Sequence, residues 1–161
     1  MDYQIREATL QDAAAILMLI QELAVFEKEP EAVVVTQEDI ELHGFGSSPL
    51  FQCLVAELDS TVVGMALYYP RYSTWKGPTF HLEDLIVTEN QKGKGIGTAL
   101  YHSFIEKAYA AKVNRIEWVV LDWNTPAVQF YKNSGATVLE DWNTVQMDRK
   151  AMADYIKRKS K

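Results

Sequence analysis

A strand, a glycine-rich loop and a helix follow one another near the centre of this chain. Leu82, Leu85, Ile86 and Val87 form a short apolar run, then comes Lys92-Gly93-Lys94-Gly95-Ile96-Gly97-Thr98. Ile96, Leu100, Phe104 and Ala108 recur at the spacing of one helical face. Glycines let a backbone turn tightly and bring its N–H groups close to an anion. The start of a helix adds unpaired N–H donors and a dipole that favours phosphate. The loop is therefore expected to hold a phosphate or pyrophosphate. It is not the nucleoside triphosphate loop, whose G-x-x-x-x-G-K-[ST] string is absent. Gly93, Gly95 and Gly97 also miss the G-x-G-x-x-G dinucleotide spacing, and no early βαβ unit precedes them. Read alone, the loop has a structural glycine turn as its lesser alternative.

Around this centre the pattern reads as an α+β domain. Residues 2–6 suit an opening strand, and Thr9 with Asp12 approximates a capping box before a helix carrying Ile16, Leu19, Ile20 and Leu23. Pro30 ends that region, and a second helix is expected from Thr36 to about His43. Phe51–Glu57 and Thr61–Tyr69 read as a β-hairpin, Phe80–Val87 as a third central strand and Arg115–Leu121 as another. Pro126–Asn133 suits a short helix, Ala136–Leu139 and Thr144–Asp148 closing strands, and Lys150–Lys161 a basic terminal helix. With 161 residues, 48% hydrophobic, residues 1–161 are expected to make a single domain with its own core.

Charge and cysteine usage exclude several classes. The net charge of -6 argues against nucleic acid, which needs clustered Lys and Arg. Cys53 is the sole cysteine, so neither an internal disulfide nor a thiolate zinc site is expected. His43, His81 and His102 lack metal-ligand spacing and read as structural or solvated, so no metal is expected. The N-terminus lacks a secretory pattern, and the run Ala13–Ile20 is short of the roughly 20 residues that span a bilayer. A cytoplasmic protein with no membrane partner is the expectation.

The segment Lys92–Thr98 resembles the pyrophosphate loop of the GCN5-related N-acetyltransferases (GNAT), with Lys92 standing where the family pattern has Gln or Arg. Asp122-Trp123-Asn124-Thr125-Pro126 and Phe130-Tyr131-Lys132, followed by Gly135-Ala136, resemble the later cofactor motif of that family. Within it, Glu22-Leu23-Ala24, Phe26-Glu27, Gly44-Phe45-Gly46, Cys53–Glu57, Tyr68-Tyr69 and Leu82-Glu83-Asp84 are most similar to the diamine (spermidine/spermine) and thialysine acetyltransferases. Tyr72-Ser73-Thr74-Trp75-Lys76-Gly77 looks like the thialysine branch, and Ser73 stands where the polyamine branch carries an acid. The resemblance implies a mixed, mostly antiparallel sheet, splayed at its centre and flanked by helices. It implies acetyl-CoA as cosubstrate, a small cationic primary amine as acceptor, and a homodimer.

The chemistry sets its own requirements. An aliphatic ammonium has a pKa near 10.4, so reaching the nucleophilic amine at pH 7 costs about 4–5 kcal/mol. A carboxylate can bind the ammonium and then take its proton. Glu83, in the apolar strand before the loop, is the candidate base; an ordinary strand-edge acid is the alternative. The resemblance implies that Leu85, Ile86 and Val87 supply backbone donors to the oxyanion and that Tyr131 protonates the departing thiolate. Tyr131 could otherwise be a core aromatic, and Asn124 a simple helix cap. Phe26, Glu27, Trp75, Glu83 and Asp84 are candidates to grip the cation. Cys53 reads as a small strand hydrophobe, with transfer direct to the amine. Acetylation of a protein lysine, an N-terminus or an antibiotic, or a non-catalytic CoA sensor, are the rival readings.

Overall fold

The computed structural model describes residues 2–159. Five strands form its sheet: β1 (Tyr3–Glu7), β2 (Gln52–Leu58), β3 (Thr61–Ser73), β4 (Gly77–Val87) and β5 (Arg115–Glu117), in the order β1-β2-β3-β4-β5. The first three pairings are antiparallel and β4 with β5 is parallel. Five helices accompany them: α1 (Ala13–Phe26), α2 (Gln37–Phe45), α3 (Ile96–Ala110), α4 (Thr125–Asn133) and α5 (Arg149–Lys159). Contacts gather into two units that divide after Val119; the first holds the sheet with α1 to α3, the second α4 and α5. Among the described residues no helix is long and apolar enough to cross a membrane.

Local chemistry explains the elements. Asp59 and Ser60 both take positive φ, 49° and 61°, the conformation that a two-residue hairpin turn between β2 and β3 demands. One face of the sheet buries Cys53, Val55, Met65, Leu67 and Ile86 against Ala13, Ile16 and Leu19 of α1 and Ile40 of α2. On the other face Tyr68 meets Phe104 of α3, ring centroids 5.1 Å apart. A Cβ at Gly64 would stand 2.8 Å from the Ile86 carbonyl and 3.2 Å from Leu100, so β3, β4 and α3 meet there at glycine distance.

An ion pair locks β1 to the start of α1. Arg6 donates to both carboxylate oxygens of Asp12, at 2.8 and 2.9 Å, and its Nε donates to Glu57 at 2.8 Å. Asp12 also accepts from the Thr9 N–H at 2.7 Å, as the capping pattern anticipated. The Arg6 guanidinium is the main cause holding the buried Asp12 carboxyl below its usual range. Stability from this pair is thus present above the normal aspartate pKa and lost as pH falls below it. Arg6→Ala is expected to cost about 2–3 kcal/mol in urea unfolding at neutral pH. The difference from wild type should shrink in acid; an unchanged difference would contradict the assignment.

The structure corrects the C-terminal third of the sequence reading. β5 stops at Glu117 rather than Leu121, and neither Ala136–Leu139 nor Thr144–Asp148 forms a strand. A strand needs a hydrogen-bonded neighbour; residues 136–148 have none among the described residues, and Trp142 and Val145 are exposed. The terminal helix spans Arg149–Lys159, and the last two residues of its expected range lie outside the described residues.

Candidate active site

The register of β3 on β4 slips by one residue at Glu83. Leu67 pairs with Asp84 and Tyr68 with Leu82, leaving Glu83 as the extra residue of a β-bulge. Regular alternation would send residues 82 and 84 to the same face. Here Leu82 sits opposite Tyr68 on the α3 face, whereas Asp84 sits opposite Leu67 on the α1 face. Glu83 projects at the kink with its side chain 51% exposed. The Tyr69 hydroxyl donates to Glu83 Oε2 at 2.7 Å, and His81 Nε2 lies 3.6 Å from the same oxygen. The Tyr69 and His81 rings stack at 5.2 Å, and His81 Nδ1 is buried without a hydrogen-bond partner among the described residues. Burial, then the bond to Glu83, pushes the Tyr69 phenol up to about 12, so Tyr69 remains a donor at neutral pH.

Two further carboxylates bear on this site. Glu27 caps the C-terminus of α1, its N–H donating to the Leu23 carbonyl at 2.9 Å. Its pKa is raised by burial and then by Glu83. Asp84 is pushed up to about 7, first by burial and then by the charges of Glu83 and Glu27. An ammonium group placed among three mutually repelling carboxylates would relieve that repulsion. In the free protein Asp84 favours folding below the ordinary aspartate range, and that contribution is lost as pH rises through about 7. A bound cation acts in the opposite sense, by favouring the ionised form. Carboxyl NMR is expected to show an Asp84 inflection near 7 that moves down when an alkylammonium ion binds and vanishes in Asp84→Asn. An inflection in the normal aspartate range would contradict this.

The loop after β4 has the geometry of an anion cradle. Gly93 and Gly95 take φ of 76° and 83°, the left-handed region that glycine adopts without strain. Gly95 caps α3, and the first bond inside that helix runs from the Ala99 N–H to the Gly95 carbonyl at 3.0 Å. The N–H groups of Ile96, Gly97 and Thr98 precede it and point out of the helix end. A Cβ at Gly93 would meet no atom within 4 Å, so the space over the loop is open. Lys94 Nζ is tethered to the Gln91 side chain at 2.6 Å, while Lys92 pairs with Glu89 and lies 4.9 Å over the Phe26 ring. Glu22 of α1 accepts from the Thr88 hydroxyl at 3.1 Å and the Glu89 N–H at 2.8 Å, tying α1 to this connection.

Pairing of β4 with β5 covers only Thr79, Phe80 and His81 against Arg115, Ile116 and Glu117. Beyond it, Leu82–Val87 has no further paired strand on that edge among the described residues. Leu85, Ile86 and Val87, paired on their other side with Ala66, Met65 and Gly64, therefore flank an opening in the sheet. A backbone edge of this kind can offer N–H donors to a carbonyl oxygen.

The first unit thus brings together Glu83, Asp84, Glu27, Leu85–Val87 and the loop, with Phe26 against Lys92. It does not bring Trp75 to them: Trp75 is at the β3–β4 turn, 79% exposed, about 20 Å along the strand from Glu83. Asn124 and Tyr131 belong to the second unit. Asn124 Oδ1 accepts from the Ala127 N–H at 3.3 Å and so caps α4, and Tyr131 packs edge-on to Phe130 at 5.4 Å. Sequence reasoning gave no role to Tyr69, His81 or Glu22; Tyr69 and His81 share the face of Glu83 through strand alternation and cross-strand pairing, and the bulge adds Asp84 to it. Cys53 is buried, and burial raises its thiol pKa further above neutrality. No group of three His, Cys, Asp or Glu side chains among the described residues is arranged to hold a metal.

A splayed mixed sheet with a glycine cradle at the end of its fourth strand defines a class, and comparison with known proteins supplies its family. The acetyltransferase (GNAT) family model matches residues 14–136. A thialysine N-epsilon-acetyltransferase of Bos taurus is 39% identical, covering 93% of this chain and 95% of that protein. A spermidine/spermine N(1)-acetyltransferase-like protein 1 of Homo sapiens is 36% identical over 96% of this chain and 24% of its own length. Among solved structures, an integron cassette protein from the mobile metagenome of V. cholerae superposes with a TM-score of 0.79 at 20% identity, covering 98% and 99% of the two chains. The chain belongs to the GNAT acetyltransferase family. It is an N-acetyltransferase, and acetyl-CoA is the acetyl donor that membership implies.

Proposed function

We propose that this enzyme acetylates a primary amine of a small cationic acceptor, a diamine, polyamine or lysine analogue of the thialysine kind. The observation that carries the reading is the bulge that sets Asp84 on the face of Glu83, where the end of α1 adds Glu27, three carboxylates that act on one another. The thialysine and spermidine/spermine names of its relatives point to the same acceptor class. The two units act as one acetyltransferase domain in this reading, since the family match runs across their division.

In the reaction, Glu83 holds the ammonium and accepts its proton, directly or through water, while Glu27 and Asp84 share the positive charge with Phe26 as an aromatic contact. The backbone of Lys92, Gly93, Lys94, Gly95, Ile96, Gly97 and Thr98 binds the pyrophosphate, and Asn124 lies along the cofactor. Backbone donors of Leu85, Ile86 and Val87 stabilise the oxyanion as the amine adds to the thioester carbon. Tyr131 then donates its proton to the leaving thiolate as the C–S bond breaks. No metal and no acyl-enzyme are required, which agrees with a buried, protonated Cys53. A homodimer acting in the cytoplasm on this small molecule, with neither nucleic acid nor membrane as partner, completes the proposal.

Thiol release from acetyl-CoA is expected to depend on added thialysine, lysine, spermidine, spermine or putrescine. A lysine peptide should be the poorer acceptor. Faster turnover of the peptide than of every small amine would overturn the proposed acceptor class.

A further inference from the structure

Beyond the acidic cluster, the same face of the sheet carries a second, basic row. Tyr69, His81 and Glu117 pair across β3, β4 and β5, and the next row on that face is Arg71, Thr79 and Arg115. The strand repeat puts the second row about 7 Å from the first. Glu117 accepts from Arg71 on one oxygen and from Arg115 Nη2 on the other, at 2.8 Å for the latter. Two guanidinium groups thus share one carboxylate, and the row keeps an uncompensated positive charge. Arg71 is 56% exposed, and Arg115 Nε is buried with no hydrogen-bond partner among the described residues. A guanidinium has five donors in a planar fork, and a single carboxylate between two such forks leaves most of them for another acceptor.

We infer that Arg71 and Arg115 form an anion subsite that reads a carboxylate on the acceptor, so that the preferred substrate is a diamino acid rather than a plain diamine or polyamine. The inference rests on the proposed use of Glu83 to bind the reacting amine. With that amine at Glu83, a carboxylate a few methylene groups away reaches the Arg71 row, passing over Tyr69 and His81. A polyamine would present a second ammonium to the same arginines and be repelled. The carboxylate of thialysine makes the 39% identical relative consistent with this choice.

The test compares each diamino acid with its decarboxylated partner: lysine with 1,5-diaminopentane, and ornithine with 1,4-diaminobutane. In the unmodified enzyme kcat/KM is expected to favour the diamino acids by about 10- to 100-fold, the range of a charge-assisted hydrogen-bonded contact. Arg71→Gln should raise KM for the diamino acids by a similar factor at nearly unchanged kcat, and lower KM for the diamines, whose second ammonium the arginine repels. Arg71→Lys should restore part of the preference. Diamine turnover in the variant doubles as the folding control. Equal or better turnover of the diamines by the unmodified enzyme would overturn the inference while leaving the amine acceptor intact. An equal loss on all four substrates in Arg71→Gln would also overturn it, by assigning Arg71 a structural role. If acetyl-CoA is turned over but none of the four amines accepts, the acceptor reading falls, and the carboxylate subsite with it.

Discussion

Glu83→Gln is expected to lower kcat/KM for a primary amine by about 10²- to 10⁴-fold, the usual range for removal of a general base. The amide keeps the size of the carboxylate and can accept from Tyr69, so the bulge should survive and KM for acetyl-CoA should stay within about twofold. What it cannot do is take a proton from an ammonium of pKa about 10.4. It also removes one of the two charges that raise Asp84, so Asp84 is expected to titrate lower in this variant. Both changes can be read on one sample, by steady-state rates against pH and by carboxyl NMR. Unaltered rates would show that another group, or water alone, accepts the proton.

Replacing Gly93 and Gly95 together by alanine is expected to raise KM for acetyl-CoA by about 100-fold. Both residues sit at positive φ, where an L side chain costs about 1–3 kcal/mol. Around Gly93 there is no protein atom for a Cβ to strike, and at Gly95 only the Tyr3 hydroxyl, at 3.8 Å. The added methyl groups therefore intrude on the ligand rather than on the protein. Backbone N–H groups held away from a pyrophosphate lose several charge-assisted hydrogen bonds at once. At about 2–6 kcal/mol for the two positions, thermal unfolding of the double variant should shift down by roughly 4–24 °C, which leaves a folded protein to assay at low temperature. Unchanged affinity for acetyl-CoA would mean that the loop is a structural turn.

How far these features were legible differs along the chain. The loop was readable because glycine at alternate positions before an apolar helix face has few physical uses, and Gly93 and Gly95 have the positive φ that such use requires. The β2–β3 hairpin was readable from Asp59-Ser60 between two apolar runs. Glu83 and Asp84 could be named as an acidic pair within a strand, but period-two reasoning places them on opposite faces and cannot see an inserted residue. Only the slipped register explains how Asp84 comes to share the face of Glu83, Tyr69 and His81. The Arg71–Glu117–Arg115 cluster was likewise hidden, since it needs the pairing of β4 with β5, a strand distant in sequence. In the second unit the pattern misled: Thr144–Asp148 alternates like a strand, yet alternation describes a face and supplies no partner strand.

The account stands on direct transfer of an acetyl group to a small primary amine. Incubation with isotopically labelled acetyl-CoA and an equimolar mixture of lysine and spermidine, followed by mass spectrometry of amines and protein, tests it most directly. The prediction is label on a small amine, formed catalytically and lost in Glu83→Gln, with none retained on the protein. Label accumulating on the protein, or an acetyl-CoA turnover that leaves both amines unlabelled, would contradict it.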